Sequence, residues 1–568
     1  MKKKLEKIVE ETAKKLFEVE TGKFVVDYPK DEKFGDYATN ISLVLAKKLG
    51  KSPMEVAEIF KEELEMDACE TKSFVGKIEV AQPGYINFHL SKKYLQDRVD
   101  EILEKKNHFG DGEKSDEKTM VEYSQPNTHK EFHIGHLRNV FVGNSLVNIL
   151  RKDGQNVIAA NYIGDTGSHI AKCLWGIIKF HSDIDLDLIE NKAEFLGKVY
   201  SQAVAAIGEN PEYENEFKKL QKHFDAGDSK LIELWNKTKK WSLDEFEEIY
   251  QELGVKFDVY FWESEEEQSG KKMLPDLMKE GFIKESQGAI VADLEEYGLG
   301  VLVLVRKDGG VLYGLKDIPL AIKKFNEYGI DSSIIVVDIR QELYFKQIFK
   351  ILELIGFEKK MRHIGYDFVS LKGSETMSSR KGNIIPAKFL MERIVEKVKE
   401  KFPETAIEKE IGIGALKFYM LKYSAQTKIE FDMEEAIRLD GVTGPYVQYA
   451  YARICSILRK TSDIQQLSVV NSSVNLTLLS HEKELSLIRE LNKFPELVSE
   501  IGETYEVHKL PYYAIKLADK FHSFYNACKV IDEENLELTK SRIRLITAVQ
   551  IVLGETLNLI GVSAPEKM

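Results

Sequence analysis

The N-terminal part of the chain mixes helix-like and strand-like spacing of apolar residues. Leu5, Ile8 and Val9 recur at the helical period, whereas KIEVAQPGYINFHL (77–90) alternates between apolar and polar residues as a strand does. A stretch rich in Gly, Asp and Lys, KKNHFGDGEKSDEK, follows without an apolar period and is typical of a linker. These patterns predict a small α+β domain over residues 1–112.

A strand, a helix and a second strand are predicted after the linker. TMVEYSQPN (119–127) is rich in β-forming residues, a helical period runs from about Ile134 to Leu150, and NVIAANYIG (156–164) is a buried-strand pattern. Such a βαβ unit implies a parallel sheet. The strand pattern resumes only at SIIVVDI (333–339).

The two halves of this sheet are separated by a long insertion at about 170–310. Its first part has a charged helical pattern, and its second contains a hairpin-like pair, GAIVADL and GVLVLVRKDGGVLYGL, with Gly309-Gly310 as the turn. A further helix is predicted from Gln341. Together these patterns predict a Rossmann-like parallel-sheet catalytic domain with insertions over residues 117–384.

Helical periods dominate the C-terminal part, from about Ile385 onward. A break containing glycine and proline near residue 440 divides it into a helical connector (385–439) and an all-α helix bundle (440–568). The predicted fold class is therefore a multidomain α/β protein.

Composition excludes several classes of function. The 568 residues are 43% hydrophobic and 30% charged, as in ordinary globular proteins, and no apolar run approaches the roughly 20 residues of a membrane-spanning helix. The start, MKKKLEKIVEETAKKLFEVE, lacks the apolar region of an export signal, so a cytoplasmic protein is expected. A net charge of −13 argues against indiscriminate coating of nucleic acid. We predict no DNA partner and no membrane partner.

The cysteines give no indication of a metal site or a disulfide framework. Cys69, Cys173, Cys455 and Cys528 are far apart and form no CxxC pair or Cys/His cluster. We therefore predict no metal-ligating residues and no zinc.

The most distinctive local pattern is SQPNTHKEFHIGHLRN (124–139), where the first predicted strand passes into its helix. Ligands of open parallel sheets bind beyond the carboxyl ends of the strands, and the next helix N-terminus offers N–H groups to an anion. His133 and His136 share one face of the first turn and can donate to phosphate oxygens, while Gly135 leaves room for a ligand. Taken alone, two such histidines are equally well explained as solvated surface residues.

In this position H-I-G-H resembles the signature of class I aminoacyl-tRNA synthetases, and VEYSQPNTHKEFHIGHLRN is similar to the version in arginyl-tRNA synthetases. The resemblance implies ATP-dependent activation of L-arginine and transfer to the 3′-terminal adenosine of tRNA(Arg), with Mg²⁺ as a counter-ion. The matching segment NYIGDTGSH (161–169) implies a turn that lines the nucleotide cleft, although Gly and Asp also favour an ordinary tight turn.

A partial match to the second class I signature, K-M-S-K-S, occurs in GSETMSSRKGN (373–383). Thr376 and Ser379 stand at the two lysine positions. Because the reaction leaves pyrophosphate, cations are needed nearby, and we expect Lys130 and Arg380 to supply them. Without the resemblance, solvated loop cations would explain these residues better. The predicted catalytic residues are Lys130, His133, His136 and Arg380, and the predicted ATP contacts are His133, Gly135, His136, Gly164, Asp165, Met377, Ser378 and Lys381.

An arginine side chain needs acceptors matched to a guanidinium, ideally a carboxylate. Tyr313 and Asp317 are four apart and would share a helix face, so the guanidinium is assigned mainly to them. Asp317 with Pro319 also fits a helix N-cap, and Gln341 fits an ordinary helix start. The positions that match arginine contacts of the family are Glu122, Ser124, Asn127, His133, Tyr313, Asp317 and Gln341.

Aromatic and basic residues occur together in DGVTGPYVQYAYARICSILRK (440–460). Such side chains suit unpaired bases and phosphates, although tyrosines at helical spacing are more often core. This segment and the terminal IGVSAPEKM resemble the anticodon-binding bundle of arginyl-tRNA synthetases, and residues 29–53 resemble their N-terminal domain, which contacts the tRNA corner near the D-loop. The implied tRNA contacts are Phe34, Tyr37, Asn40, Tyr446, Tyr449, Arg453, Arg459 and Met568.

Three other functions stay open on the sequence alone. A class I synthetase for cysteine, glutamate or glutamine shares the first signature, although the cysteine enzyme would normally have zinc-ligand cysteines. An enzyme that adenylates small molecules would leave the C-terminal Tyr/Arg cluster unexplained. A catalytically idle tRNA-binding protein would not need Lys130 and both histidines. Family likeness also favours a monomer.

Overall fold

The computed structural model describes residues 1–66, 70–373, 385–462 and 474–568. Its N-terminal part is the predicted α+β domain, in which Leu5, Ile8 and Val9 are buried on one face of the first helix. A four-stranded antiparallel sheet with the order β1-β2-β4-β3 packs against the helices. The elements are α1 (Lys2–Phe17), β1 (Val26–Asp27), β2 (Tyr37–Thr39), α2 (Ile41–Leu49), α3 (Pro53–Met66), β3 (Val75–Ala81), β4 (Tyr85–Leu90) and α4 (Lys92–Lys105).

The predicted parallel sheet follows the linker and has the order β12-β11-β5-β6-β7. Its elements and those inserted between them are β5 (Lys118–Glu122), α5 (Ile134–Lys152), β6 (Asn156–Ile163), α6 (Ser168–Phe180), α7 (Lys192–Glu209), α8 (Pro211–Asp225), α9 (Ser229–Leu253), β7 (Val259–Trp262), α10 (Glu263–Leu277), β8 (Ile283–Ser286), β9 (Ala289–Asp293), β10 (Val301–Val305), α11 (Tyr313–Tyr328), β11 (Ser332–Asp338), α12 (Glu342–Leu354), β12 (Lys360–Tyr366) and β13 (Val369–Leu371).

The βαβ unit and the return of the sheet at β11 are confirmed, but the uninterrupted insertion at about 170–310 is wrong. β7 lies inside that range and pairs in parallel with β6, with Tyr162 opposite Phe261. Its four residues are too few to show a period, so the pattern does not distinguish them from a loop. The insertion therefore consists of two pieces, one on each side of β7.

The two pieces of the insertion differ in structure. The first is made of the helices α6 to α9, and the second contains the antiparallel sheet β10-β9-β8. The predicted turn at Gly309-Gly310 follows β10, where the Arg306 N–H donates to the Gly310 carbonyl at 2.8 Å. The predicted pairing of the two hairpin strands is confirmed by β9 and β10. The predicted turn is wrong, because residues 294–300 join these strands and Gly309-Gly310 lies beyond β10.

Helices form most of the described C-terminal part, as the periods predict. The exception is β14, which pairs in parallel with β13 and was not predicted because it is three residues long. The elements are α13 (Ala387–Lys401), α14 (Glu408–Leu421), β14 (Ile429–Phe431), α15 (Met433–Ala436), α16 (Gly444–Ser462), α17 (Glu482–Asn492), α18 (Phe494–Thr504), α19 (Lys509–Ala527) and α20 (Leu536–Leu559).

One hydrophobic core joins these parts, and α5 lies at its centre. Leu5 of α1, Val140 of α5 and Leu553 of α20 belong to the same buried cluster. The Arg138 guanidinium is fully buried and donates to four backbone carbonyls, among them those of Asp367 and Thr427 at 2.7 Å each. The N-terminus of α5 is thus held in a fixed position at one edge of the sheet. In the described ranges, no helix has the length and apolar character that crossing a bilayer requires.

Candidate active site

The carboxyl ends of β5 and β6 are joined by backbone hydrogen bonds. Gly164 N–H donates to the Pro126 carbonyl at 3.0 Å, and Thr128 N–H donates to the Gly164 carbonyl at 2.9 Å. A Cβ on Gly164 would lie 2.4 Å from Asn127 Oδ1, so a larger residue would push these two loops apart. The two loops therefore form a continuous floor beyond the sheet, where α/β proteins bind ligands.

The loop that follows β5 has an unusual backbone conformation. Ser124, Gln125 and His129 have positive φ angles of 79°, 43° and 63°, which cost energy in residues other than glycine. Asn139 compensates, because its Oδ1 accepts from Ser124 N–H at 2.7 Å and its Nδ2 donates to Gln125 Oε1 and to the Val336 carbonyl at 3.0 Å each. Sequence reasoning missed Asn139, although it lies one turn after His136 in the same motif.

His133 and His136 form a reciprocal cap at the start of α5. The Gly135 N–H donates to His133 Nδ1, and the His133 N–H donates to His136 Nδ1, each at 3.1 Å. The two rings stack with centroids 3.8 Å apart. The prediction that both histidines share a face of the first helical turn is confirmed.

These hydrogen bonds determine which ring nitrogen carries the proton. Since Nδ1 accepts in both rings, the proton of each neutral imidazole is on Nε2. Burial, followed by the charge of Lys130, lowers the pKa of His133 to about 4, and burial lowers the pKa of His136 well below its usual value. Both rings are therefore neutral near pH 7 and present Nε2–H donors.

The lack of a side chain at Gly135 makes room for the neighbouring His133 ring. A Cβ at this position would lie 3.0 Å from His133 Cε1 and 3.1 Å from its Nδ1. The sequence led us to expect that Gly135 leaves room for a ligand. In the structure, the His133 ring lies in the space beside Gly135.

Lys130 lies beside this pair on the same loop. Burial lowers the pKa of its ammonium, partly offset by Glu263, and its Nζ lies 5.7 Å from the centre of the Tyr200 ring. No carboxylate of the described residues pairs with it. Its charge therefore remains available beside His133.

The second signature lies outside the described residues, so the predictions for Met377, Ser378, Arg380 and Lys381 have no structural counterpart. The described chain resumes beside the first signature. The Ile134 N–H donates to the Ile385 carbonyl at 3.1 Å, and the Ala387 N–H donates to the Phe132 carbonyl at 2.7 Å. Residues 385–387, which follow the second signature in the sequence, are thus joined to the start of α5.

Asp165 does not have the environment expected of an ATP contact. Its carboxylate is completely buried. It accepts from Ser264 N–H and Ser264 Oγ at 2.8 Å each and from Lys239 Nζ at 2.5 Å. We therefore reassign Asp165 to holding the turn after β6 against α9 and α10.

Tyr313 and Asp317 lie on one helix, α11, as predicted. The helix begins at Tyr313, so the alternative in which Asp317 is an N-cap is wrong. Asp317 Oδ2 accepts from the Tyr344 hydroxyl at 2.5 Å, whereas Oδ1 is buried without a partner in the described residues. Burial raises the pKa of Asp317 to about 7.

The other carboxylates near Asp317 are paired with lysines. Glu122 Oε2 lies 2.5 Å from Lys324 Nζ, and Glu263 Oε1 lies 2.8 Å from Lys316 Nζ. Within the described ranges Asp317 has no such cation. Sequence reasoning missed Glu263 because it directly follows β7, the strand that the pattern did not reveal.

The remaining residues predicted to contact arginine have different environments. Ser124 is buried, and its hydroxyl lies 2.7 Å from the Tyr250 hydroxyl, so this side chain is already engaged. Asn127 is half-buried at the floor beside Gly164. Gln341 is exposed at the start of α12, and its side chain makes no cap hydrogen bond to that helix.

Three predicted tRNA contacts, Tyr446, Tyr449 and Arg453, lie on one face of α16. Tyr449 is 39% exposed, whereas its neighbours Val447 and Ala450 are buried, so this face is surface rather than core. The Tyr446 hydroxyl donates to Asp519 at 2.6 Å, and the Arg453 guanidinium lies 4.5 Å from the centre of the Tyr525 ring. Arg459 and Met568 are also exposed.

The N-terminal candidates are split between surface and core. Phe34 is 42% exposed, and the Asn40 side chain accepts from Val25 N–H at 2.9 Å. Tyr37 is 1% exposed and donates to Glu496 at 3.0 Å. The predicted tRNA contact of Tyr37 is therefore corrected, because its ring is buried where this domain meets α18.

Three family models match successive parts of the chain. Residues 98–433 match the catalytic domain of class I (R) tRNA synthetases, residues 3–90 match the arginyl tRNA synthetase N-terminal domain, and residues 447–568 match the DALR anticodon-binding domain. The chain belongs to the arginyl-tRNA synthetase family. This membership decides among the functions left open by the sequence.

Known arginyl-tRNA synthetases support the same assignment over nearly the whole chain. The arginine–tRNA ligase of Bdellovibrio bacteriovorus is 35% identical, with 96% of this chain and 94% of that protein covered. Arginine–tRNA ligase 1 of Bacillus cereus is 34% identical, with 96% and 95% covered. The solved arginyl-tRNA synthetase of Thermus thermophilus is 26% identical, covers both chains completely and has a TM-score of 0.80.

Proposed function

We propose that the chain is an arginine–tRNA ligase that activates L-arginine with ATP and transfers the arginyl group to tRNA(Arg). One observation carries the substrate assignment: at the carboxyl edge of the sheet, Asp317 presents a buried oxygen that has no partner among the described residues, close to carboxylates that are paired with lysines. Family membership supports the reaction.

The triphosphate of ATP is proposed to bind at the start of α5. The helix offers a partial positive charge, and the histidine pair adds two neutral Nε2–H donors. Lys130 adds a cation on the preceding loop, and we propose that Arg380 of the second signature adds another, with Met377, Ser378 and Lys381 beside it. Donors and cations in this position stabilise the charge that develops on the pyrophosphate.

Magnesium is proposed to arrive with the nucleotide. The described residues contain no group of three or more His, Cys, Asp or Glu side chains that would hold a metal ion, and the groups around the histidine pair are N–H donors and cations. Mg²⁺ prefers oxygen ligands and substrate phosphates, so the donor set suits a metal held by the triphosphate rather than by the protein. When bound, the ion would neutralise phosphate charge.

The guanidinium of arginine is proposed to bind Asp317, with Tyr313 beside it. Among the described residues, Glu122 and Glu263 each have a lysine partner whereas Asp317 has none, so Asp317 gains a cation when arginine binds. A charge-assisted bond in a buried site is among the stronger hydrogen bonds. Glu122, Asn127, His133 and Gln341 remain as proposed contacts for the rest of the substrate.

No covalent nucleophile of the protein is needed for either step. The carboxylate of arginine attacks the α-phosphorus in line, and the protein contributes alignment and charge stabilisation. Pyrophosphate leaves in this first step. The 2′-hydroxyl of the terminal adenosine then attacks the adenylate carbonyl, loses its proton and forms the ester as the acyl–phosphate bond breaks and AMP leaves. The loops after β5 and β6 hold the two reactants at one edge of the sheet.

Binding of tRNA is proposed to use both ends of the chain. On α16 the exposed side chains of Tyr449 and Arg459 and the half-exposed Arg453 offer aromatic and basic groups to the anticodon loop. Phe34 offers an exposed ring on the N-terminal domain. We propose functional boundaries at 1–112, 117–384, 385–439 and 440–568. We also propose a cytoplasmic monomer without DNA or membrane partners.

ATP–pyrophosphate exchange with each amino acid, with and without tRNA, tests the proposed function. We expect exchange with arginine alone, because only a side-chain cation compensates Asp317. Lysine is the matched control, since it carries the same charge without the planar donor pair. If glutamate, glutamine or cysteine gave the highest exchange rate, the assignment to arginine would be refuted. If none of the amino acids supported exchange, with or without tRNA, the protein would not be an active ligase.

A further inference from the structure

Asp317 has a hydrogen-bond donor that the proposed reaction does not use, the phenol of Tyr344. Tyr344 lies in the first turn of α12, directly beyond the carboxyl end of β11, and donates to Asp317 Oδ2 at 2.5 Å. Oδ1 of the same carboxylate is buried and has no partner in the described residues. Oδ2 is therefore fixed by a hydrogen bond, whereas Oδ1 can still accept one from a ligand.

The charged and titratable groups around Asp317 come from each element packed against it. Apart from Tyr344, none of them forms a hydrogen bond to Asp317 in the described structure, because each lysine pairs with another carboxylate. These groups are Glu122 of β5, Tyr162 of β6, Glu263 of α10, and Tyr313, Lys316 and Lys324 of α11. Tyr344 is thus the side chain that determines how the carboxylate of Asp317 is turned.

The same hydrogen bond favours the ionised form of Asp317. Burial raises the pKa of this carboxyl to about 7, and the Tyr344 hydrogen bond works against that rise. Burial also raises the pKa of Tyr344, so the phenol remains a donor across the neutral range. Ionisation matters because only the carboxylate can pair with a guanidinium.

We propose that Tyr344 is a positioning residue for arginine recognition, which turns the Asp317 carboxylate so that Oδ1 faces the guanidinium and which extends arginine binding to lower pH. The inference rests on the proposed function, because it takes arginine as the ligand of Asp317. Tyr344 itself need not touch the substrate. Its ring packs 5.2 Å from that of Phe345, and this packing survives replacement by phenylalanine.

The test is the pH dependence of the KM for arginine in aminoacylation. In the unchanged protein, the KM is expected to rise about tenfold from pH 8 to pH 6, as titration of a carboxyl with a pKa of about 7 requires. In Tyr344→Phe, we expect a KM about tenfold higher at pH 8, since a hydrogen bond to a charged group is lost. We also expect the rise to begin at a higher pH, with the KM for ATP unchanged.

Three further variants separate the outcomes. Tyr344→Phe should have no added effect on the KM when combined with Asp317→Asn. Tyr28→Phe removes a different tyrosine–carboxylate hydrogen bond, the one to Glu496 of α18. It should leave the pH dependence of the KM for arginine unchanged. An unchanged KM in Tyr344→Phe, or a raised KM with an unmoved pH midpoint, would overturn the inference. Normal arginine KM in Asp317→Asn would instead refute the proposed pocket.

Discussion

Asp317→Ala is expected to raise the KM for arginine roughly 10²- to 10³-fold, while the KM for ATP stays within about twofold of the unchanged protein. The effect is expected to be large because the variant removes the carboxylate of the proposed pocket that has no lysine partner in the described part of the chain, whereas Glu122 and Glu263 are already paired. The guanidinium would then be desolvated without a counter-charge. Steady-state aminoacylation kinetics with arginine and ATP varied separately would measure both values.

Charge and shape are separated by two controls. Asp317→Asn keeps the size of the side chain but not its charge, and should lose nearly as much arginine affinity as the alanine variant. Citrulline is the neutral isostere of arginine and should not inhibit the unchanged protein. In Asp317→Asn, the affinity for citrulline relative to that for arginine should increase. An arginine KM that either substitution leaves unaltered would exclude Asp317 from the pocket.

His136→Ala is expected to lower the rate of arginine-dependent ATP–pyrophosphate exchange roughly 10²- to 10³-fold. In the proposed site, His136 offers an Nε2–H donor to the triphosphate. Its Nδ1 accepts from the His133 N–H, and its ring stacks on that of His133. The substitution therefore removes one donor and loosens the second. The exchange rate at saturating arginine and ATP is the relevant measurement.

A second histidine cap in the same chain provides a matched control. His481 caps α17 through the same reciprocal arrangement, with its Nδ1 accepting from Lys483 N–H at 3.1 Å and Glu484 returning to the His481 N–H at 2.9 Å. His481→Ala should cost about 1 kcal/mol of stability, as loss of a cap does, without slowing exchange. Equal rates in His136→Ala and His481→Ala would mean that His136 only caps a helix.

Strong local patterns made part of the site predictable from the sequence. The apolar period starts α5 at Ile134, where the structure has it, and the four-residue spacing places Tyr313 and Asp317 on one helix. Both features depend on contacts within a few residues, which a single sequence displays directly.

Features set by distant parts of the chain were not predictable. Tyr37 resembles a surface aromatic residue in its own segment, but it is buried against Glu496, 459 residues away. From the sequence, Asp165 fits a ligand-binding turn as well as an ordinary tight turn. Its structural role becomes clear only from its hydrogen bonds with Lys239 and Ser264, which lie far along the chain. Glu263 directly follows β7, and Tyr344 lies in the first turn of α12. Both are close to Asp317 because of how the sheet and its helices pack, which the local sequence does not show.

A crystal structure of the protein with a non-hydrolysable ATP analogue would show whether the triphosphate binds at the histidine-capped start of α5, as proposed. We expect phosphate oxygens within about 3 Å of Nε2 of both His133 and His136. A structure in which both rings point away from the nucleotide, with the ligand bound elsewhere, would contradict this proposal.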